Sequence, residues 1–146
     1  MRDCKEVFFL KKEAKTFVIM GLALILAGAA RAANCDLAGQ RLSTRVTLYF
    51  GRDRTGMAEV SDAEWTRFSV SELTATFPDG FTESDGVGQW RDPKSGQIVR
   101  EHSKIVDVVV DGTGLAAKIA TVTGDYRQQF RQQSVGVVTE RVCAVF

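Results

Sequence analysis

The first 32 residues constrain what this chain can fold into more than any later feature does. A basic stretch precedes an apolar run over residues 17–30, and Ala30-Arg31-Ala32 follows it. This order is typical of a secretory signal peptide. The apolar run, about 14 residues long, is shorter than the roughly 20 residues that a membrane-spanning helix needs. We therefore predict a signal peptide over residues 1–32, cleavage near Ala32-Ala33, and one domain over residues 33–146, with a retained N-terminal anchor as the alternative.

Export would place the protein in the bacterial periplasm or outside the cell, where thiols oxidise. Cleavage removes Cys4 and leaves Cys35 and Cys143. Two cysteines in an exported chain usually pair, so we predict a Cys35–Cys143 disulfide, with two unpaired thiols as the alternative. Lipidation of Cys35 is a further alternative, which Asn34 immediately before the cysteine disfavours.

Charge and composition argue against several classes of partner. The leader holds six basic and three acidic residues of a chain whose net charge is +1, so residues 33–146 carry −2. Without a basic stripe we expect no nucleic-acid binding, and after cleavage no membrane association. Two cysteines and the single His102 fall short of the four ligands that zinc prefers, so no metal is expected. No glycine-rich phosphate loop is present, and we expect no cofactor.

The hydrophobic pattern predicts the element order β-α-β-β-α-β. Strands are indicated by alternation over residues 45–51 and by apolar stretches over 81–90, 98–110 and 135–146. The second strand is expected to have a weak or bulged centre around Gly86 and Gly88. Ser61-Asp62-Ala63-Glu64 is a capping box that starts the first helix. An apolar stripe from Leu115 to Phe130 predicts the second helix.

This order is that of the ferredoxin-like α+β fold, one antiparallel sheet with both helices on one face. In that fold the first and last strands lie side by side. The end of the last strand, with Cys143, would then approach the entry to the first strand, near Cys35. The predicted disulfide and the predicted topology are therefore compatible.

Several short motifs in the same order resemble an uncharacterised family of exported bacterial proteins, domain of unknown function 3574. The motifs are Leu48-Tyr49-Phe50-Gly51, Phe77-Pro78-Asp79-Gly80-Phe81-Thr82, Gly88-Gln89-Trp90-Arg91 and Glu101-His102-Ser103-Lys104, and the similarity continues through Gln133-Ser134-Val135. The resemblance implies bacterial origin and export. It implies no activity and no catalytic residue.

Polar side chains are densest over Arg100-Glu101-His102-Ser103-Lys104. On a strand Glu101 and Ser103 point to one face and His102 and Lys104 to the other, so neighbouring His102 and Ser103 cannot form a nucleophile–base pair. The alternative interpretation is that this run is the solvated, charged half of a long hairpin and has no chemical role. The charged side chain of Asp107 is expected to point away from the helices. Because Glu101 and Ser103 point to the same face as Asp107, they would lie on the open face of the sheet.

The open face is the predicted functional surface, either a floor for a small ligand or a homodimer interface. The residues predicted to bind an unknown small molecule or protein are Tyr49, Trp90, Glu101, Ser103, Lys104 and Arg141. We favour a binding or interaction module without chemistry of its own. The alternative is a cofactor-independent enzyme that uses Tyr49, Glu101 or His102 as an acid–base group, an idea based on fold analogy.

Overall fold

The computed structural model describes residues 35–54, 56–92 and 95–146. The predicted signal peptide, its cleavage site and Asn34 lie outside the described residues. The strands are β1 (Arg41–Gly51), β2 (Thr82–Arg91), β3 (Ile98–Val110) and β4 (Gly136–Ala144). The helices are α1 (Asp62–Phe68), α2 (Thr74–Thr76) and α3 (Leu115–Phe130), with a π-helical turn (Ser69–Leu73) joining α1 to α2.

The four strands form one antiparallel sheet in the order β2-β3-β1-β4. The prediction of an α+β fold with a single antiparallel sheet and two helical segments is confirmed, and β1 pairs with β4 as expected. Of the two alternatives for the centre of β2, the bulge is wrong, because β2 pairs with β3 without interruption through Gly86 and Gly88. A β-carbon at Gly86 would crowd the Ile105 side chain, so this glycine makes room for a neighbour.

Alternation along β1 places Val46, Leu48 and Phe50 on the face that the helices cover, where all three are fully buried. Five aromatic rings pack there, with centroid separations between 4.7 and 6.0 Å. They come from β1, α1 and α3: Phe50, Trp65, Phe68, Tyr126 and Phe130. Because α1 and α3 both contribute to this core, both helices lie on the same side of the sheet.

Helix α1 begins at the predicted capping box. The backbone N–H of Glu64 donates to Ser61 Oγ at 3.3 Å, and the N–H of Ser61 donates to the Glu64 carboxylate at 2.8 Å. Further along, Glu83 of β2 accepts hydrogen bonds from Trp65 Nε1, at 3.0 Å, and from Ser69 Oγ. These bonds connect the helical layer to the edge strand β2.

Cys35 and Cys143 form a disulfide, with their α-carbons 5.5 Å apart. It joins the segment before β1 to the end of β4, where Leu42 pairs with Cys143. The disulfide therefore links the first described residue covalently to the last strand.

Candidate functional site

The strand register brings four of the predicted residues onto the open face of the sheet. Residues paired across antiparallel strands share a face, and Gly51 pairs with Ser103, Gly88 with Glu101 and Trp90 with Val99. Tyr49 lies on the same side of β1, two residues before Gly51. Tyr49 and Trp90 are 42% and 45% exposed, so both aromatic side chains are available to a ligand.

A cleft of about 840 Å³ opens on this face, where β1 ends and β4 begins. Its floor comes from the strands, including Tyr49, Trp90, Glu101 and Ser103. Its walls come from two connections, the loop after β1 and the segment after α3. The wall residues are Asp53, Arg54, Met57, Glu59, Arg131, Gln132, Gln133 and Ser134.

Glu101 is the half-buried acid of this cleft. Its Oε1 atom accepts a hydrogen bond from the backbone N–H of Asp53 at 3.2 Å. Burial raises the pKa of Glu101 above the usual 4.5 and the nearby Asp53 charge raises it further, while the Asp53 N–H and the Trp90 indole lower it. The balance leaves a carboxyl group that ionises less readily than one in water.

Gly51 allows this placement of the acid. A β-carbon at Gly51 would overlap the Glu101 carboxylate, so the missing side chain is what lets Glu101 lie over β1. Beneath the sheet, the hydroxyl of Tyr126 donates to the Gly51 carbonyl at 2.8 Å. Because Tyr126 is fully buried, the backbone under the cleft is fixed by the core.

The two walls are also held in place. Arg54 donates to both oxygens of the Glu64 carboxylate, at 3.1 and 3.3 Å, so the capping residue of α1 positions the loop after β1. Gln132 Nε2 donates to the Asp53 carbonyl at 2.7 Å, which connects the segment after α3 to that loop. Sequence reasoning missed both walls.

His102 and Lys104 lie outside the cleft. They line a second groove of about 370 Å³ on the side that carries α1, together with Arg52, Glu59, Asp62, Asp85, Gly86 and Val87. Lys104 forms ion pairs with Asp85 and Asp62, and His102 Nδ1 lies 3.2 Å from Glu59 Oε2. Strand alternation therefore separates these two residues from Glu101 and Ser103, and the structure does not bring Lys104 into the predicted ligand site.

The prediction that Arg141 belongs to the open face is wrong. Arg141 pairs with Thr44, which lies on the helix side of β1. The next residue of β1, Arg45, lies on the open face and pairs with Glu140. Glu140 takes the predicted place and forms an ion pair with Arg45 at 3.4 Å. Asp107 lies on the open face as predicted, accepting from Thr47 Oγ1 at 2.6 Å and from Arg45 at 3.1 Å.

Among residues 35–54, 56–92 and 95–146, no group of three or more histidine, cysteine or carboxylate side chains is arranged to hold a metal ion. Within the same ranges, the helices are too short or too polar to cross a bilayer.

Comparison with solved structures shows the fold. A phage SAM lyase in complex with S-methyl-5'-thioadenosine matches with a TM-score of 0.54 and 14% identity, over 70% of this chain and 90% of that one. A phage SAM lyase in the apo state matches with a TM-score of 0.55 and 15% identity, over 77% and 90%. None of the curated proteins matches the sequence.

The family comparison agrees with the resemblance seen in the motifs. The profile of DUF3574, a protein family of unknown function, matches residues 45–146, from the middle of β1 to the last residue. The match includes the strands and connections that build the cleft. The chain therefore belongs to the DUF3574 family.

Proposed function

We propose that this protein binds a small molecule with a planar ring in the cleft on the open face of the sheet. The observation that carries the proposal is the presence of two exposed aromatic side chains, Tyr49 and Trp90, in a cleft that also contains half-buried Glu101. A volume of about 840 Å³ is in the range of ligand sites in proteins. Aromatic floors of this kind stack on the rings of bases.

A nucleoside is the first ligand class to test. The phage SAM lyase of similar fold holds S-methyl-5'-thioadenosine, a neutral nucleoside thioether. The cleft offers hydrogen-bonding groups to such a ligand, the Ser103 hydroxyl and the amides of Gln132 and Gln133 among them. These groups support recognition of a polar ring and its sugar.

Intrinsic fluorescence gives a direct assay, because Trp65 is 2% exposed and Trp90 is 45% exposed. We expect S-methyl-5'-thioadenosine to quench Trp90 in a saturable way. Trp90→Ala should weaken binding, measured by calorimetry, by about 5- to 150-fold, since base stacking contributes about 1–3 kcal/mol. Val87→Ala, on the opposite face of the same strand, is the matched control and should bind like the wild type. An absence of binding at millimolar ligand would contradict the nucleoside proposal.

A second candidate function is acid–base catalysis on the bound molecule. It is favoured by the position of Glu101, whose carboxyl group is partly withdrawn from water and faces the cleft with Tyr49. His102 takes no part in this candidate, because it lies in the other groove. Mass spectrometry of the ligand after incubation with wild type and with Glu101→Gln tests it: a product made only by the wild type would favour an enzyme.

We also propose that the open face can contact another protein or a second copy of this chain. Val138 pairs with Thr47, shares its face and is 54% exposed, so the open face offers apolar area beyond the cleft. Sedimentation of the protein with and without ligand would detect a homodimer formed there.

We also propose that the fold is ferredoxin-like and that the chain is exported. The first assignment is supported by the strand order, in which β1 lies between β3 and β4. The second is supported by the Cys35–Cys143 disulfide and by the leader-like sequence before it. The intact mass of protein from the host envelope should correspond to a chain that starts at Ala33 and is two hydrogens light. A chain that retains its leader would contradict cleavage, and a diacylglycerol adduct on Cys35 would show lipidation instead.

A further inference from the structure

We propose that the ligand of the cleft carries a positive charge next to its ring, as a sulfonium or an N-alkylated heterocycle does, and that Glu101 selects this charge. The inference rests on the proposed function and deepens it, because it names the chemical class of the ligand. It comes from the arrangement of rings and carboxylates in the cleft.

The aromatic floor and the acid are next to each other. Trp90 and Glu101 are diagonal neighbours on the open face of the β2–β3 pair, because Glu101 pairs with Gly88 and Trp90 pairs with Val99. Both line the cleft, so a group that contacts the Glu101 carboxyl group also lies near Trp90. Tyr49 lies in the same cleft, with its side chain 42% exposed. Aromatic faces attract organic cations, tryptophan most strongly. A carboxylate beside exposed rings therefore favours an organic cation over a neutral molecule of the same shape.

Acidic side chains outnumber basic ones in the lining of the cleft. Asp53, Glu59 and Glu101 face Arg54 and Arg131 there, and Glu59 forms an ion pair with Arg52 at 3.8 Å. Arg54 gives its hydrogen bonds to the Glu64 carboxylate and to the carbonyls of Ala58 and Glu59. Glu64 thus largely balances the positive charge of Arg54, and the remaining carboxylates of Asp53 and Glu101 exceed the single charge of Arg131.

Glu101 is held in place for this role. The Asp53 N–H fixes one carboxylate oxygen, and the missing side chain at Gly51 leaves room for the whole group. Partial burial makes the ionised carboxylate costly when the cleft is empty, and a cation placed beside it offsets that cost. A neutral ligand gives no such compensation.

Two matched ligand pairs test the inference by calorimetry. S-adenosylmethionine and S-adenosylhomocysteine differ by a methyl group and the positive charge on sulfur. The 1-methylnicotinamide cation and nicotinamide differ by a methyl group and the charge on a ring nitrogen, without a nucleoside. In each pair we expect the cation to bind about tenfold more tightly to the wild type, as cation–π and charge attraction add together.

Three variants separate Glu101 from a general effect of charge. Glu101→Gln should reduce the preference for the cation to about two- to fivefold, the part that the aromatic rings alone provide. Gly51→Ala should do the same while leaving the acid in the chain, because the new methyl group displaces the carboxylate. Glu140→Gln removes the same charge from the open face outside the cleft and should keep the wild-type preference. Thermal melts establish that each variant is folded.

The outcomes distinguish this inference from the proposed function. Equal binding of both nucleosides overturns the inference and leaves the nucleoside site intact. A preference for 1-methylnicotinamide without any nucleoside binding supports the inference and overturns the nucleoside proposal. A cation preference as large in Glu101→Gln as in the wild type, or an absence of binding by all four compounds, overturns the inference.

Discussion

Replacing Cys35 with serine is expected to destabilise the protein by about 4–5 kcal/mol under oxidising conditions. The disulfide with Cys143 spans a sequence separation of 108 residues, and a loop of that size retains much entropy in the unfolded chain once the link is lost. For a domain of this size the loss corresponds to a melting temperature lower by roughly 15–20 °C. Differential scanning calorimetry of the oxidised wild type and Cys35→Ser would measure it.

Reductant provides the control for this prediction. Adding it should lower the melting temperature of the wild type toward that of Cys35→Ser and should leave Cys35→Ser unchanged. Equal melting temperatures of the oxidised wild type and the variant would contradict a stabilising role for the bond.

Phe50→Ala is expected to cost about 3–5 kcal/mol of folding free energy. Phe50 is fully buried, and its ring centroid lies 4.8 Å from that of Tyr126, 5.3 Å from Trp65 and 6.0 Å from Phe68. Alanine would leave a cavity between β1, α1 and α3 that these rings cannot all close. Urea denaturation, followed by circular dichroism, measures the change.

Phe146→Ala is the matched control, since the same residue type there is 97% exposed. We expect a change within about 0.5 kcal/mol. If Phe50→Ala cost no more than Phe146→Ala, the aromatic core described for this fold would be wrong.

The sequence was most informative where local chemistry and periodicity agree. The capping box at Ser61 determines the start of α1 without help from distant residues, and the stripe from Leu115 to Phe130 gives α3 with its bounds. The start of β1 was harder to predict. Strand pairing extends β1 back to Arg41, past the clear alternation, because β4 continues to pair with it and Ser43 finds a partner in Asp111 at 3.3 Å.

The candidate site was predictable only in part. Alternation along β1 and β3 was enough to place Tyr49, Glu101 and Ser103 together. The position of Arg141 depended on the register of β4, and a shift of one residue moves a side chain to the other face. The walls depended on contacts between distant connections, such as Gln132 with Asp53, which no local pattern contains.

The disulfide and the cleft lie at opposite ends of the sheet. The bond is at the start of β1 and the end of β4, whereas the cleft is at the end of β1 and the start of β4. Mutations in the cleft walls therefore leave the covalent link and most of its surroundings untouched. Binding measurements on variants of the cleft walls and stability measurements on the disulfide can therefore be interpreted independently of each other.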